Sequence, residues 1–205
     1  NSILKVVSAL SDDVKQIVPT WEDMLIKIPK RGIPVTVYQD LALQSSSYDV
    51  FSVGIYLHDS FDNPVSYLPG SQKMGPLTKT EIYKVYDENR DKFVPISVKA
   101  GDIVFYNVKT VHYSEENKGN NPRYTWYLEF RTIDQLKSDS PWDNDWIMSR
   151  RAIWAHALKK HHNNIDGLLP DINLLEKYLQ KLGLKISHTS DSIDYNMESP
   201  YNHFT

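Results

Sequence analysis

The stretch Val98-Lys-Ala-Gly-Asp102-Ile-Val-Phe-Tyr-Asn107-Val-Lys-Thr-Val-His112-Tyr-Ser114-Glu-Glu-Asn117-Lys-Gly-Asn-Asn-Pro-Arg123-Tyr-Thr-Trp-Tyr-Leu-Glu-Phe-Arg131 decides the fold. A Gly-Asp turn opens a strand that runs toward a histidine. A polar loop follows, and an arginine then opens an aromatic strand. In that last strand Arg123, Thr125, Tyr127, Glu129 and Arg131 share one face, and Tyr124, Trp126, Leu128 and Phe130 share the other. A face carrying arginine, threonine and tyrosine suits a polar pocket in which a guanidinium grips a carboxylate with two parallel hydrogen bonds. The plainer alternative is that this face looks at water. The order suits a β-barrel pocket that holds a metal by His112 and an anionic co-substrate by Arg123. A lone histidine is more often structural than functional. His112 has context in its favour, because it follows the apolar run Ile103-Val104-Phe105 at what would be a pocket mouth, with Ser114 beside it to fix the ring.

Working upstream, short segments rich in Val, Ile, Tyr and Phe are bounded by Pro, Gly, Asn and Asp. Strands are expected at Val35–Leu43, Phe51–Leu57, Val65–Leu68, Phe93–Val98, Asp102–Asn107 and Tyr124–Arg131. So many short strands argue for a sandwich or a jelly roll. Residues 10–28 read as an amphipathic helix on the spacing of Leu10, Val14, Ile17 and Val18, ended or kinked by Pro19. The segment Lys73 to Lys92 reads as a long loop between strands, of the kind that covers a site. Downstream, Asp143 to His161 reads as a helix with an apolar stripe that includes Trp146 and Trp154, and Pro170 to Leu182 as another. These helices are expected outside the sheets. The tail from Ser187 to Thr205 is polar and without periodicity.

Composition sets limits. The 205 residues are expected to form one domain, with a barrel core over about 35–131, a helical layer over about 142–183 and a polar tail over 187–205. The net charge of −3 argues against nucleic acid as a partner. With no cysteine, disulfides, zinc–thiolate sites, iron–sulfur clusters and thiol catalysis are excluded, and a cytoplasmic home is favoured. No apolar run reaches the roughly 18 residues that would span a membrane, and no signal-peptide pattern is present.

Tyr38 and Asp40 lie two apart in an expected strand and so point to one side. Such a pair plus a distant histidine is the pattern of the two-histidine, one-carboxylate iron(II) site, except that the first position is tyrosine. The runs Gly54-Ile55-Tyr56-Leu57-His58-Asp59-Ser60, Tyr67-Leu68-Pro69-Gly70-Ser71-Gln72-Lys73, Ala100-Gly101-Asp102 and His112-Tyr113-Ser114, with Asn117 and Arg123, resemble the phytanoyl-CoA dioxygenase family. The resemblance covers roughly Val35 to Arg131. It implies a mainly β protein with helices, built on a double-stranded β-helix (a cupin-like jelly roll), using iron(II) and the co-substrate 2-oxoglutarate to oxidise an aliphatic C–H of a small molecule. It matches Asp40 and His112 to metal ligands, Arg123 to the arginine that binds the distal carboxylate of 2-oxoglutarate, and Ser114 to the small polar residue near it. Tyr38 stands where the family has its first histidine. Three outcomes stay open: a catalytically silent binding or scaffold protein, a two-ligand iron site, or a substitute histidine, for which His58 is the candidate. The oligomeric state and the substrate are not readable.

Overall fold

The computed structural model describes residue 6 and residues 17–40, 50–139 and 142–161, with side chains left aside at 138–139 and 155–161. The expected helix at 170–182, the tail and Tyr48 lie outside the described residues. Eight strands are found among them: β1 (Ile17–Lys27), β2 (Val35–Tyr38), β3 (Phe51–Tyr56), β4 (Val65–Tyr67), β5 (Val94–Ile96), β6 (Ile103–Asn107), β7 (His112–Ser114) and β8 (Arg123–Thr132). They form two four-stranded sheets, with strand orders β1-β8-β3-β6 and β2-β7-β4-β5. Three helices accompany them: α1 (Lys79–Glu88), α2 (Ile133–Asp139) and α3 (Asn144–His161).

By their contacts the described residues fall into two compact units, one within residues 19–131 and the other within residues 17–18, 132–137 and 142–161. The second unit has a small core of Val18, Ile133, Leu136 and Ile147, against which Trp142 and Trp146 pack. Its α2 was not foreseen. Thr132 and Gln135 supply the start signal: the Thr132 amide donates to Gln135 Oε1 and the Gln135 amide donates to Thr132 Oγ1, the reciprocal pair of a capping box.

The larger unit holds both sheets. β3 pairs antiparallel with β6 and β8, and β7 with β2 and β4. Gly101 takes φ +92° in the turn that opens β6, and the Asp102 carboxylate accepts from the Lys99 amide at 2.8 Å, so the Gly-Asp pair forms the turn expected of it. β6 and β8 are not neighbours; β3 lies between them.

Residues 17–27 correct the expected helix. They form a strand at the edge of its sheet, beside β8. Pro19 lacks an amide donor and so suits an edge strand as well as it suits a helix end. The β-branched Ile17, Val18 and Thr20 favour the extended form. A tie across to β8 decides the matter, with Thr20 Oγ1 donating to Glu129 Oε1 at 2.8 Å. The expected loop at 73–92 also differs, because it contains α1. Thr78 caps this helix, with Glu81 reaching back to the Thr78 amide at 2.7 Å. Its Ile82 packs with Val37, Leu68, Phe93 and Val111.

Candidate functional site

The site grows from β2 and β7. Their register sets Tyr38 opposite His112, and β4 sets Tyr67 opposite His112 from the other side. His112 is 3% exposed. Its Nδ1 lies 2.8 Å from the Thr110 carbonyl, which can only accept, so Nδ1 carries the proton and the Nε2 lone pair is left for a ligand. Nε2 faces Asp40 Oδ1 at 3.7 Å. Asp40 Oδ2 accepts from the Tyr106 hydroxyl at 2.6 Å, and the Asp40 amide donates to the Val108 carbonyl. Both sheets therefore hold this carboxylate.

Aromatic rings enclose the pair. The centroids of Tyr38, Tyr106 and Tyr67 lie 4.3, 5.1 and 5.3 Å from that of His112. The Tyr38 phenol is pushed well above the usual value, first by burial and then by the Asp40 charge, so it stands beside the pair as a neutral phenol. Burial likewise raises Tyr67, Tyr106 and Tyr127 well above, and Tyr56 above, the ordinary phenol value.

On the opposite sheet Arg123 is 1% exposed, so the polar face of β8 looks inward rather than at water. Its Nη1 donates to the Asn63 carbonyl at 2.7 Å, and its Nε finds no partner. Thr125 shares its face and pairs in register with Tyr56 on β3. Tyr127 pairs with Gly54; a Cβ on that glycine would come 3.0 Å from Tyr127 Cε1, so the glycine leaves room for the ring. The hydroxyls of Thr125, Tyr56 and Tyr67 are buried and also lack a partner; Tyr56 and Tyr67 approach each other without reaching hydrogen-bond geometry. Ser114 is buried at the end of β7, where Lys27 Nζ donates to its carbonyl at 3.3 Å and to that of Glu115. Lys27 is lowered to about 8, first by burial and then by the Arg123 charge.

Sequence reasoning placed Asp40, His112, Tyr38 and Arg123, and the structure gathers the first three. It does not bring His58 to them. The His58 ring packs edge-on against Tyr124, whose side chain alternates away from the Arg123 face, at a centroid distance of 4.6 Å. No group of three or more His, Cys, Asp or Glu residues able to hold a metal occurs among the described residues. Lys27, Asn63 and Tyr67 were missed as contributors. Of these only Tyr67 carried a signal, two residues before the Pro69-Gly70 turn.

The donor sets differ in fit. Metal bonds of about 2.0–2.2 Å put neighbouring ligands roughly 3 Å apart, so Asp40 and His112 could close on one ion with a small adjustment. Tyr38 supplies a proton-bearing phenol beside them. The unpartnered Arg123 Nε, with hydroxyls around it, fits a carboxylate.

Two sheets with a carboxylate and an imidazole on one side and a buried arginine on the other define an oxygenase-like β protein. The chain belongs to the phytanoyl-CoA dioxygenase (PhyH) family, whose sequence model matches residues 4–125. No protein with a curated functional description matches it. Among solved structures, AviO1 from Streptomyces viridochromogenes Tue57 is similar at 25% identity and TM-score 0.55, over 66% of this chain and 59% of that one. The non-heme alpha ketoglutarate dependent carbocyclase SnoK from nogalamycin biosynthesis matches at 23% and TM-score 0.53, over 62% and 54%. EvdO2 from Micromonospora carbonacea var. aurantiaca, complexed with 2-oxoglutarate, matches at 20% and TM-score 0.55, over 64% and 58%. The chain thus spans somewhat over half the length of these three proteins, and the two likenesses under 25% speak to the fold alone. No helix among the described residues is long and apolar enough to cross a membrane.

Proposed function

We propose that this chain is an iron(II)- and 2-oxoglutarate-dependent oxygenase acting on an aliphatic C–H of a small molecule, with its two sheets as the walls of a double-stranded β-helix. The observation that carries the reading is the convergence of Asp40 and His112, with Nε2 left free by the Thr110 carbonyl. Asp40 and His112 would hold the iron and Tyr38 would stand beside it. Iron(II) with 2-oxoglutarate and dioxygen supplies, when bound, the oxidising chemistry for the C–H bond. The chain's own residues do the rest. Thr110 fixes the tautomer of His112. Tyr106 orients Asp40. Arg123 grips the far carboxylate of 2-oxoglutarate, with Ser114 near it. The rings of Tyr38, Tyr67 and Tyr106 enclose His112 and keep bulk water from its ring.

The runner-up is a silent member of the family that keeps the acid-binding pocket, and one observation favours it: a phenol kept neutral by burial and by the Asp40 charge stands beside His112 where a third metal ligand would be needed. The test is release of succinate from 2-oxoglutarate under saturating iron(II) and dioxygen, with Asp40→Ala as the blank. Succinate above that blank supports the oxygenase. Succinate equal to it moves the reading to the silent binder.

A further inference from the structure

A neutral histidine ring has one proton to give, and His112 faces two acceptors. The Thr110 carbonyl lies 2.8 Å from Nδ1, and Asp40 Oδ1 lies 3.7 Å from Nε2. The nearer acceptor takes the proton. Nε2 therefore keeps its lone pair for a ligand as long as the Thr110 carbonyl stays in place.

Thr110 sits in the turn between β6 and β7, which is tied at residues on either side of it. The Asp40 amide donates to the Val108 carbonyl at 3.0 Å, and the Val111 amide donates to Ser71 Oγ at 2.9 Å. Between these ties the Lys109 carbonyl, next to Thr110, accepts from Gln39 Nε2 at 2.6 Å. Gln39 stands between Tyr38 and Asp40, and it is buried. Its Nε2 also donates to the Gly75 carbonyl at 3.0 Å, and its Oε1 accepts from the Leu77 amide at 2.9 Å. One side chain thus joins the β6–β7 turn to the segment that leads into α1. A buried amide with both ends bonded to backbone is expensive to move, because each broken bond leaves a buried polar group unmatched.

We infer that Gln39 is a positioning residue for His112: by holding the Lys109–Thr110 turn it keeps the ring proton on Nδ1 and leaves Nε2 open to a ligand. This rests on the reading of Asp40 and His112 as the metal pair. Without Gln39 the turn relaxes and the ring proton passes to Nε2, toward Asp40, with no net gain or loss of protons.

The experiment has two readouts. Nitrogen NMR of the metal-free full chain at about pH 8, where an ordinary histidine is neutral, shows which ring nitrogen carries the proton, the His112 signals being those lost in His112→Asn. The native chain should show Nδ1 protonated, and Gln39→Met, which keeps the length and loses the hydrogen bonds, should show the Nε2-protonated form as well. Cobalt(II) titration, read by its visible bands, should show affinity at least about fivefold weaker when Gln39→Met is added to the native chain or to Tyr38→His. Thr78→Ala loosens the start of α1 without touching Gln39, and neither readout should move in it. Gln39→Glu, which keeps the acceptor for Leu77 and removes both donations, decides the matter if Gln39→Met does not fold. An Nε2-protonated ring in the native chain, a tautomer unchanged in the Gln39 variants, or an equal fall in cobalt affinity in Thr78→Ala would overturn the inference. No cobalt bound even by Tyr38→His would remove the metal half of the proposed function, and the ring nitrogens of the metal-free chain would still decide the role of Gln39.

Discussion

The Asp40 side and the Arg123 side of the candidate site are built from the same materials, phenols and a charged group, and they are in opposite states. On the Asp40 side the phenol of Tyr106 donates to the carboxylate, and Tyr38 stands beside it as a neutral phenol. On the Arg123 side the guanidinium Nε and the hydroxyls of Tyr56 and Thr125 find no hydrogen-bond partner. A phenol's contribution therefore follows from its partner. A buried donor with a carboxylate acceptor stabilises the free protein, and a buried donor without one destabilises it until a ligand arrives.

Arg123→Leu should strike hardest. If the guanidinium grips 2-oxoglutarate, the loss of a charge-assisted bidentate pair should weaken that acid by about 2–4 kcal/mol, read by calorimetry. Unchanged affinity would remove Arg123 from the site and leave the comparison with one side.

A pair of phenol deletions reads the difference directly. Tyr106→Phe takes a donor from a partly exposed carboxylate and should cost about 1 kcal/mol of stability in urea, with 2-oxoglutarate affinity little changed. Tyr67→Phe removes a buried hydroxyl without a partner and should leave stability equal or slightly higher. Equal losses of stability in both variants would mean that the hydroxyl of Tyr67 is satisfied in the free protein.

Alkaline pH should then act on both sides. Lys27 is lowered to about 8 while an unfolded lysine titrates near 10.4, so between those values the unfolded chain binds the extra proton and stability rises with pH. The phenols of Tyr38, Tyr56, Tyr67, Tyr106 and Tyr127 are all raised. Above the ordinary phenol value of about 10 the folded chain holds protons that the unfolded chain releases, so stability falls. A stability maximum between about pH 8 and 10 is expected, and Lys27→Met should abolish its rising limb. A limb unchanged in that variant would assign the rise to other groups.

Thr78→Ala gives the smallest effect. Loss of the α1 capping box should cost about 1 kcal/mol and leave both sides of the site untouched, which urea unfolding and 2-oxoglutarate titration together would check.

How legible the site was depended on distance along the chain. The spacing from His112 to Arg123 lies in a single β7–loop–β8 run, so the sequence carries it. Tyr38 and Asp40 lie two apart, and their shared side could be read from strand geometry alone. The phenols were another matter. Tyr56, Tyr67 and Tyr106 come from three strands, and which face each presents depends on a register that no local pattern states. Gly54 is a local clue, since a Cβ there would come 3.0 Å from the Tyr127 ring and crowd it where it lies across β3. β1 was misread because Ile17, Val18 and Pro19 satisfy a helix end and an edge strand alike, and the deciding bond runs to Glu129, far along the chain. The Thr78–Glu81 and Thr132–Gln135 capping pairs were present in the sequence as start signals, and their helices were passed over because each is short and follows a strand or turn.

The central claim is that a neutral phenol, Tyr38, stands where a third metal ligand would be needed, so that iron(II) is held weakly by Asp40 and His112. Anaerobic titration of iron(II) in the presence of 2-oxoglutarate, followed by the metal-to-ligand charge-transfer band, tests it in the native chain and in Tyr38→His. The account predicts weak iron(II) binding and a faint band in the native chain, and tighter binding with a strong band in Tyr38→His. Tight binding and a full band in the native chain, with no gain in the variant, would contradict it.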